Sequence, residues 1–266
     1  MPNLMDLTIL KLGGSVITKK NEPFICASKT IRRLAREIAE SNIKSLIIVH
    51  GGGSFGHPIA KEYSIKRGYK DSSQLYGLAR THLSMLELNH IVMTSLIEEG
   101  VPAFPIHPSS CFVTKAGRID WLNINVVLDI QRLGLVPVLY GDISFDRKTG
   151  FTILSGDQIV SYLSIRLGAT RIVMGIDVDG LHTSNPKTDP NSRLLRRVNL
   201  SKQRNSIKKL DVRSDIVDVT GGMGGKLQEL IPALRNGAEA ILVNALRPKR
   251  VLKALKGEVV VGTVLL

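Results

Sequence analysis

Cysteine is nearly absent from this 266-residue chain, and the two present, Cys26 and Cys111, stand far apart in no metal-binding spacing. Such a pair offers neither a disulfide framework nor a zinc site, so a reduced, cytoplasmic protein is expected. Aromatic residues make up only 5%, with Trp121 the single tryptophan. That scarcity removes the stacking platform on which proteins hold single-stranded nucleic acid. No apolar run reaches the roughly 18 residues that a membrane span requires. Nor does the start read as a secretory leader, because Lys11, Lys19 and Lys20 interrupt the first apolar stretch. With no repeat, low-complexity segment or linker, a single domain over residues 1–266 is expected.

Acidic residues are also outnumbered. Lys and Arg total 36 against 23 Asp and Glu, a formal net charge of +13. Such an excess suits nucleic acid, an anionic membrane surface or small polyanionic substrates. No zinc-finger, basic-zipper or RNA-recognition signature supports the first. The basic runs at 193–197 and 208–209 read as solvated faces. Neither a nucleic-acid nor a membrane partner is expected.

What the chain does have is alternation. Apolar runs at 7–12, 45–50, 136–140, 171–176 and 240–245 read as strands, and helical stripes at 28–40, 74–99, 158–167 and 226–236 alternate with them. That order is the mark of a parallel sheet covered by helices. A further strand is expected at 102–106, and a hairpin across Lys115-Ala116-Gly117. Asn123 is expected to cap a helix that buries Val126, Val127 and Ile130. A turn at 146–150 should lead into FTIL, and Pro248 should open the last helix.

Four glycine-rich turns punctuate this pattern: Gly13-Gly14-Ser15, Gly51-Gly52-Gly53-Ser54, Ser155-Gly156-Asp157, and Gly221-Gly222-Met223-Gly224-Gly225-Lys226. Ligands of open parallel sheets bind beyond the carboxyl ends of the strands. Glycine there lets main-chain N–H groups approach an anion, and a following helix N-terminus adds favourable partial charge. Four such turns, two flanked by lysine, point to a long polyphosphate or to two phosphorylated ligands. A Walker A loop is excluded, because GGMGGKL is one residue short and places Leu227 where a hydroxyl is needed. GGGSFG fits the dinucleotide pattern, but the acidic residue expected about 20 positions on falls at Asp71 within polar RGYKDSS. His50, His82, His90, His107 and His182 show no metal-ligand spacing and read as structural or surface groups, so no metal ligand is expected.

The ordered stretches ILKLGGSVIT, IIVHGGGSFGHP, LSGDQI, GIDVDGLHTSNPK and DVTGGMGGKL resemble the motif set of the amino acid kinase superfamily. Within it, GSFGHP with His57, and the early Lys20, resemble the isopentenyl phosphate kinases. The resemblance implies an αβα three-layer sandwich with a mostly parallel central sheet, commonly a homodimer. Residues 1–150 would form an acceptor-binding lobe and 151–266 a nucleotide-binding lobe. It implies transfer of the ATP γ-phosphate, with Mg2+, onto isopentenyl phosphate, making isopentenyl diphosphate for isoprenoid synthesis by the alternative mevalonate route. A relative acting on a carboxylate, carbamate, nucleotide or phosphonate stays open at this point, as does a non-catalytic nucleotide binder.

The chemistry suits those residues. A phosphate monoester has its second pKa near about 6, so at neutral pH its oxygen is already a nucleophile and needs no strong base. Bringing two anions together is the difficulty, and positioning with charge stabilisation meets it. By resemblance, Lys11 reaches the β- and γ-phosphates, Lys226 contacts the ATP phosphates, and Lys20, in preference to Lys19, stabilises the transferring group. Asp157 orients the lysines, with a plain N-cap role as its structural alternative. Gly13, Gly14, Ser15, Gly53 and Gly222 cradle the nucleotide, and Asp177, in preference to Asp179, contacts it. Gly52, Gly156 and His57 receive the acceptor, His57 gripping its phosphate more firmly when protonated. Leu83 and Leu86 are candidates for the wall along the isoprenoid tail. Asp142 resembles a loop position near the acceptor and is given no chemical role.

Overall fold

The computed structural model describes residues 6–19, 22–200 and 222–266. Strand β1 (Thr8–Leu12) is buried throughout, and its two-residue period sends Ile9 into one core and Leu10 and Leu12 into the other. The single turn α1 (Gly14–Ile17) and helix α2 (Ser28–Ser41) follow. Ile31, Leu34, Ala35 and Ile38 form the buried stripe of α2, and Asn42 closes it in the left-handed region. Next come β2 (Leu46–His50), α3 (Gly53–Glu62) and the long α4 (Ser73–Glu98). The edge strand β3 (Ala103–Pro105) and short α5 (Pro108–Cys111) lead to β4 (Phe112–Lys115) and β5 (Arg118–Leu122). Helix α6 (Ile124–Arg132) precedes β6 (Val136–Tyr140), β7 (Asp142–Asp146) and β8 (Gly150–Leu154). The second half holds α7 (Gly156–Leu167), β9 (Arg171–Ile176) and β10 (Arg197–Val198). It ends with α8 (Met223–Arg235), β11 (Glu239–Asn244), α9 (Arg250–Lys256) and β12 (Gly262–Leu265).

The main sheet has the order β10-β12-β11-β9-β1-β2-β6-β3. From β11 to β3 every pairing is parallel; β12 runs antiparallel to β11, and β10 parallel to β12. Apolar side chains of α2, α4 and α9 fill one core and those of α6, α7 and α8 the other. The expected αβα sandwich is therefore the fold observed. Both expected hairpins form too, but in a separate mixed sheet, β5-β4-β7-β8, which the strand pattern does not reveal. Asp146 closes both of its turns, accepting from the N–H groups of Ala116, Gly117, Lys148 and Thr149. Burial alone would raise its carboxyl pKa, yet these N–H donors hold it well below the usual carboxylate range.

Two local expectations are corrected. Asn123 precedes α6 without a side-chain cap, and Val126 is exposed while Val127 and Ile130 are buried. The last helix starts at Arg250 rather than at Pro248, after Lys249 in the left-handed region. Its cap comes from α2: Glu37 accepts from the N–H groups of Lys249 (2.9 Å) and Leu252 (3.2 Å), and pairs with Arg33. A carboxylate 212 residues away thus replaces proline as the start signal.

Candidate active site

The loops leaving β1, β2 and β6 are each laced to the neighbouring strand at the carboxyl edge of the main sheet. Gly13 N–H donates to Gly175 O at 2.9 Å, Gly51 N–H to Leu12 O at 2.9 Å, and Gly141 N–H to His50 O at 3.0 Å. A Cβ on Gly14 would lie 2.3 Å from Gly53 N, and one on Gly53, at φ +48°, would lie 2.1 Å from Thr18 Oγ1. Only glycine permits that approach. Thr18 seals it, donating to Gly14 O (2.8 Å) and accepting from Ser54 N–H (3.0 Å). The third turn joins them, since a Cβ on Gly156 would stand 3.1 Å from His50 O. Gly222 opens α8 with φ +93°, and Gly221 lies outside the described residues.

Strand periodicity places Lys11 on the same side as Ile9, toward α7 and α8. Its Nζ donates to Asp157 Oδ1 at 2.5 Å, and Lys226 Nζ donates to Asp157 Oδ2 at 3.0 Å. Ser155 caps α7, its hydroxyl accepting from Gln158 N–H at 3.1 Å, which leaves the Asp157 carboxylate to the lysines. The plain N-cap alternative for Asp157 is thereby set aside. Burial lowers the Lys11 pKa to about 8, with Asp157 opposing the fall and Lys226 adding to it. For Lys226 burial also pulls downward, but Asp157 outweighs it and the pKa rises. Asp157 itself is held below its ordinary value: burial would raise it, and the two lysines prevail.

His57, on α3, is lowered by burial and then by the charges of Lys226, Lys11 and Lys66. Groups from β1, α3 and α8 therefore share one electrostatic field. Burial and these lysines both favour the uncharged imidazole over the charged one.

Residues 6–244 match the amino acid kinase family. The chain belongs to the amino acid kinase family. It is 41% identical over 265 residues to the isopentenyl phosphate kinase of Methanothermobacter thermautotrophicus, covering 97% of this chain and 98% of that protein. A solved isopentenyl phosphate kinase matches the fold with a TM-score of 0.86 at 38% identity, covering 98% of this chain and 100% of that one. The product complex of the T. acidophilum isopentenyl phosphate kinase matches with a TM-score of 0.80 at 28% identity and the same coverage.

In this amino acid kinase, Asp177 is the acidic residue joined to the β1 loop. Burial opposes its ionisation, but hydrogen bonds from Lys187 and Ser15 lower its pKa, and its charge is felt at Lys226. Asp179 is occupied instead by Asn244 (2.8 Å) and Arg250 (2.7 Å). Lys20 lies outside the described residues, whereas Lys19 forms an exposed pair with Glu22. His50 is structural as expected: it is buried, stacked on Tyr140 at 5.2 Å and hydrogen-bonded to Asn89, and burial lowers its pKa to about 4. Leu83 is exposed, while Leu86 packs against the core.

One pair escaped the sequence reading. His82 Nδ1 donates to the buried Asp142 at 2.9 Å, and that hydrogen bond raises the imidazole pKa. The partners are 60 residues apart, so no spacing signal connects them. Among the described residues no group of three or more His, Cys, Asp or Glu is arranged to hold a metal ion, and no helix is long and apolar enough to cross a membrane.

Proposed function

We propose that this kinase transfers the γ-phosphate of ATP to isopentenyl phosphate, yielding isopentenyl diphosphate and ADP. The observation that carries the reading is near-full-length identity of 41% to a curated isopentenyl phosphate kinase. The Lys11–Asp157–Lys226 cluster beside His57 is chemistry suited to it.

In the reaction an acceptor phosphate oxygen forms a bond to Pγ while the bond from Pγ to the β-bridging oxygen breaks and its electron pair leaves with ADP. Lys11 and Lys226 offset charge on the transferring group, and Asp157 fixes both ammonium groups before the nucleotide arrives. Main-chain N–H groups of Gly14 and Gly53, with Gly13, Ser15, Asp177 and Gly222, hold ATP. Gly52, Gly156 and His57 hold the acceptor phosphate, and Lys20 is assigned to the transferring phosphoryl by resemblance. Mg2+ would enter as the chelate of ATP and neutralise charge on its phosphates. The division into acceptor and nucleotide lobes near residue 150, the homodimer and a place in the alternative mevalonate route also belong to this reading. Its cytoplasmic setting is supported by two cysteines without a disulfide.

Purified protein with Mg-ATP should release ADP on addition of isopentenyl phosphate and give no comparable release with glutamate or UMP. Turnover confined to glutamate or UMP removes the reading.

A further inference from the structure

Asp142 is a buried carboxylate whose side-chain partners, among the described residues, are His82 and the Ile143 N–H and none of the phosphate-directed groups. Its side chain is wholly enclosed, and a buried charge persists only when it is paired and hydrogen-bonded. His82 supplies the pairing at Oδ2, while Oδ1 accepts the Ile143 N–H at 2.8 Å. The imidazole is 31% exposed, so the ring spans from a sealed carboxylate to open surface.

Both ends of the pair abut the glycines assigned to the acceptor. Asp142 follows Gly141, where an added Cβ would stand 3.1 Å from Gly156 N. In the β7–β8 ladder Asp142 lies opposite Leu154, directly before Ser155-Gly156-Asp157. On α4, His82 stands one turn ahead of Met85, whose Sδ would be 2.8 Å from a Cβ on Gly52 and 3.1 Å from one on Gly56. Ser84 binds the same element, donating to Phe55 O at 2.8 Å. The hydrogen bond therefore spans from the helix packed on the second glycine turn to the strand packed on the third.

We propose that His82 is a positioning residue for the acceptor: through Asp142 it fixes α4 relative to the Gly52 and Gly156 turns. The inference rests on the isopentenyl phosphate kinase reading above. In-line transfer is steeply sensitive to placement, a shift of about 1 Å costing about 10²-fold in rate. Deleting the imidazole also leaves one oxygen of the buried Asp142 carboxylate without its hydrogen-bond donor, a cost that a shift of the strand would relieve.

The test is steady-state kinetics with ATP and isopentenyl phosphate on the full chain, comparing wild type, His82→Leu, His82→Gln and Asp142→Asn, with thermal melting beside each. His82→Leu is expected to lower kcat/KM for the acceptor about tenfold or more while the ATP KM stays within about twofold. His82→Gln, whose amide donates to the same oxygen, should recover most of that loss. Unchanged acceptor kinetics in His82→Leu, or equal losses for both substrates, overturns the proposal. Should His82→Leu not fold, Asp142→Asn decides in its place: an acceptor-selective loss supports the strut and a substrate-blind one removes it. Wild-type protein that ignores isopentenyl phosphate but phosphorylates another acceptor removes the functional reading instead, and the variants measured on that acceptor still decide the strut.

Discussion

Asp157, partly buried, and Asp142, fully buried, are carboxylates near the same glycine turns, and the protein neutralises them differently. Asp157 lies between two lysines, one from β1 and one from α8. Asp142 has one imidazole from α4 and one main-chain N–H. The neighbouring histidines register the contrast. His57 is lowered by burial and by three lysines, whereas the hydrogen bond to Asp142 raises His82. Positive charge is thus concentrated at the β1–α7–α8 side, and a lone imidazole–carboxylate link at the α4–β7 side.

That separation can be broken experimentally. Lys11→Ala should lower kcat by roughly 10²–10³-fold, the scale of losing one preorganised charge donor. Asp157 keeps Lys226 in that variant, so the fold should persist by circular dichroism and melting. Wild-type kcat/KM should decline as pH rises through about 8, where buried Lys11 loses its proton. Asp157→Asn removes the anion that favours the ammonium form, so this limb should move to lower pH; a limb that stays in place would detach Lys11 from the profile. His57→Ala should raise the acceptor KM about tenfold with the ATP KM nearly unchanged, and equal effects on both would dissolve the contrast between the two sides. Glu37, a third buried carboxylate, serves as a remote control. Glu37→Gln weakens the start of α9 and should cost about 1–2 kcal/mol in denaturant unfolding, with kcat unaltered.

Local signals made the frame and half of the site readable. Strand alternation and glycine position were enough to set Lys11 at a carboxyl edge and Lys226 at a helix start, because both depend on neighbours in sequence. What they bind was not readable: Asp157 meets Lys11 across 146 residues, and nothing local distinguishes that contact from a helix cap. The family resemblance supplied it. His82 had neither aid, as its partner is distant and no motif includes it. The start of α9 failed for the same reason, since Glu37 on α2 outweighs the local proline signal. The second sheet was invisible because hairpin turns show which strands pair but not which sheet receives them.

The two-lysine grip on Asp157 has one more consequence. Two ammonium groups held this close repel each other, and the carboxylate between them makes the arrangement tolerable within one fold. As an internal counter-ion it also sets a threshold: a free anion must compete with a tethered rival before it can reach either lysine.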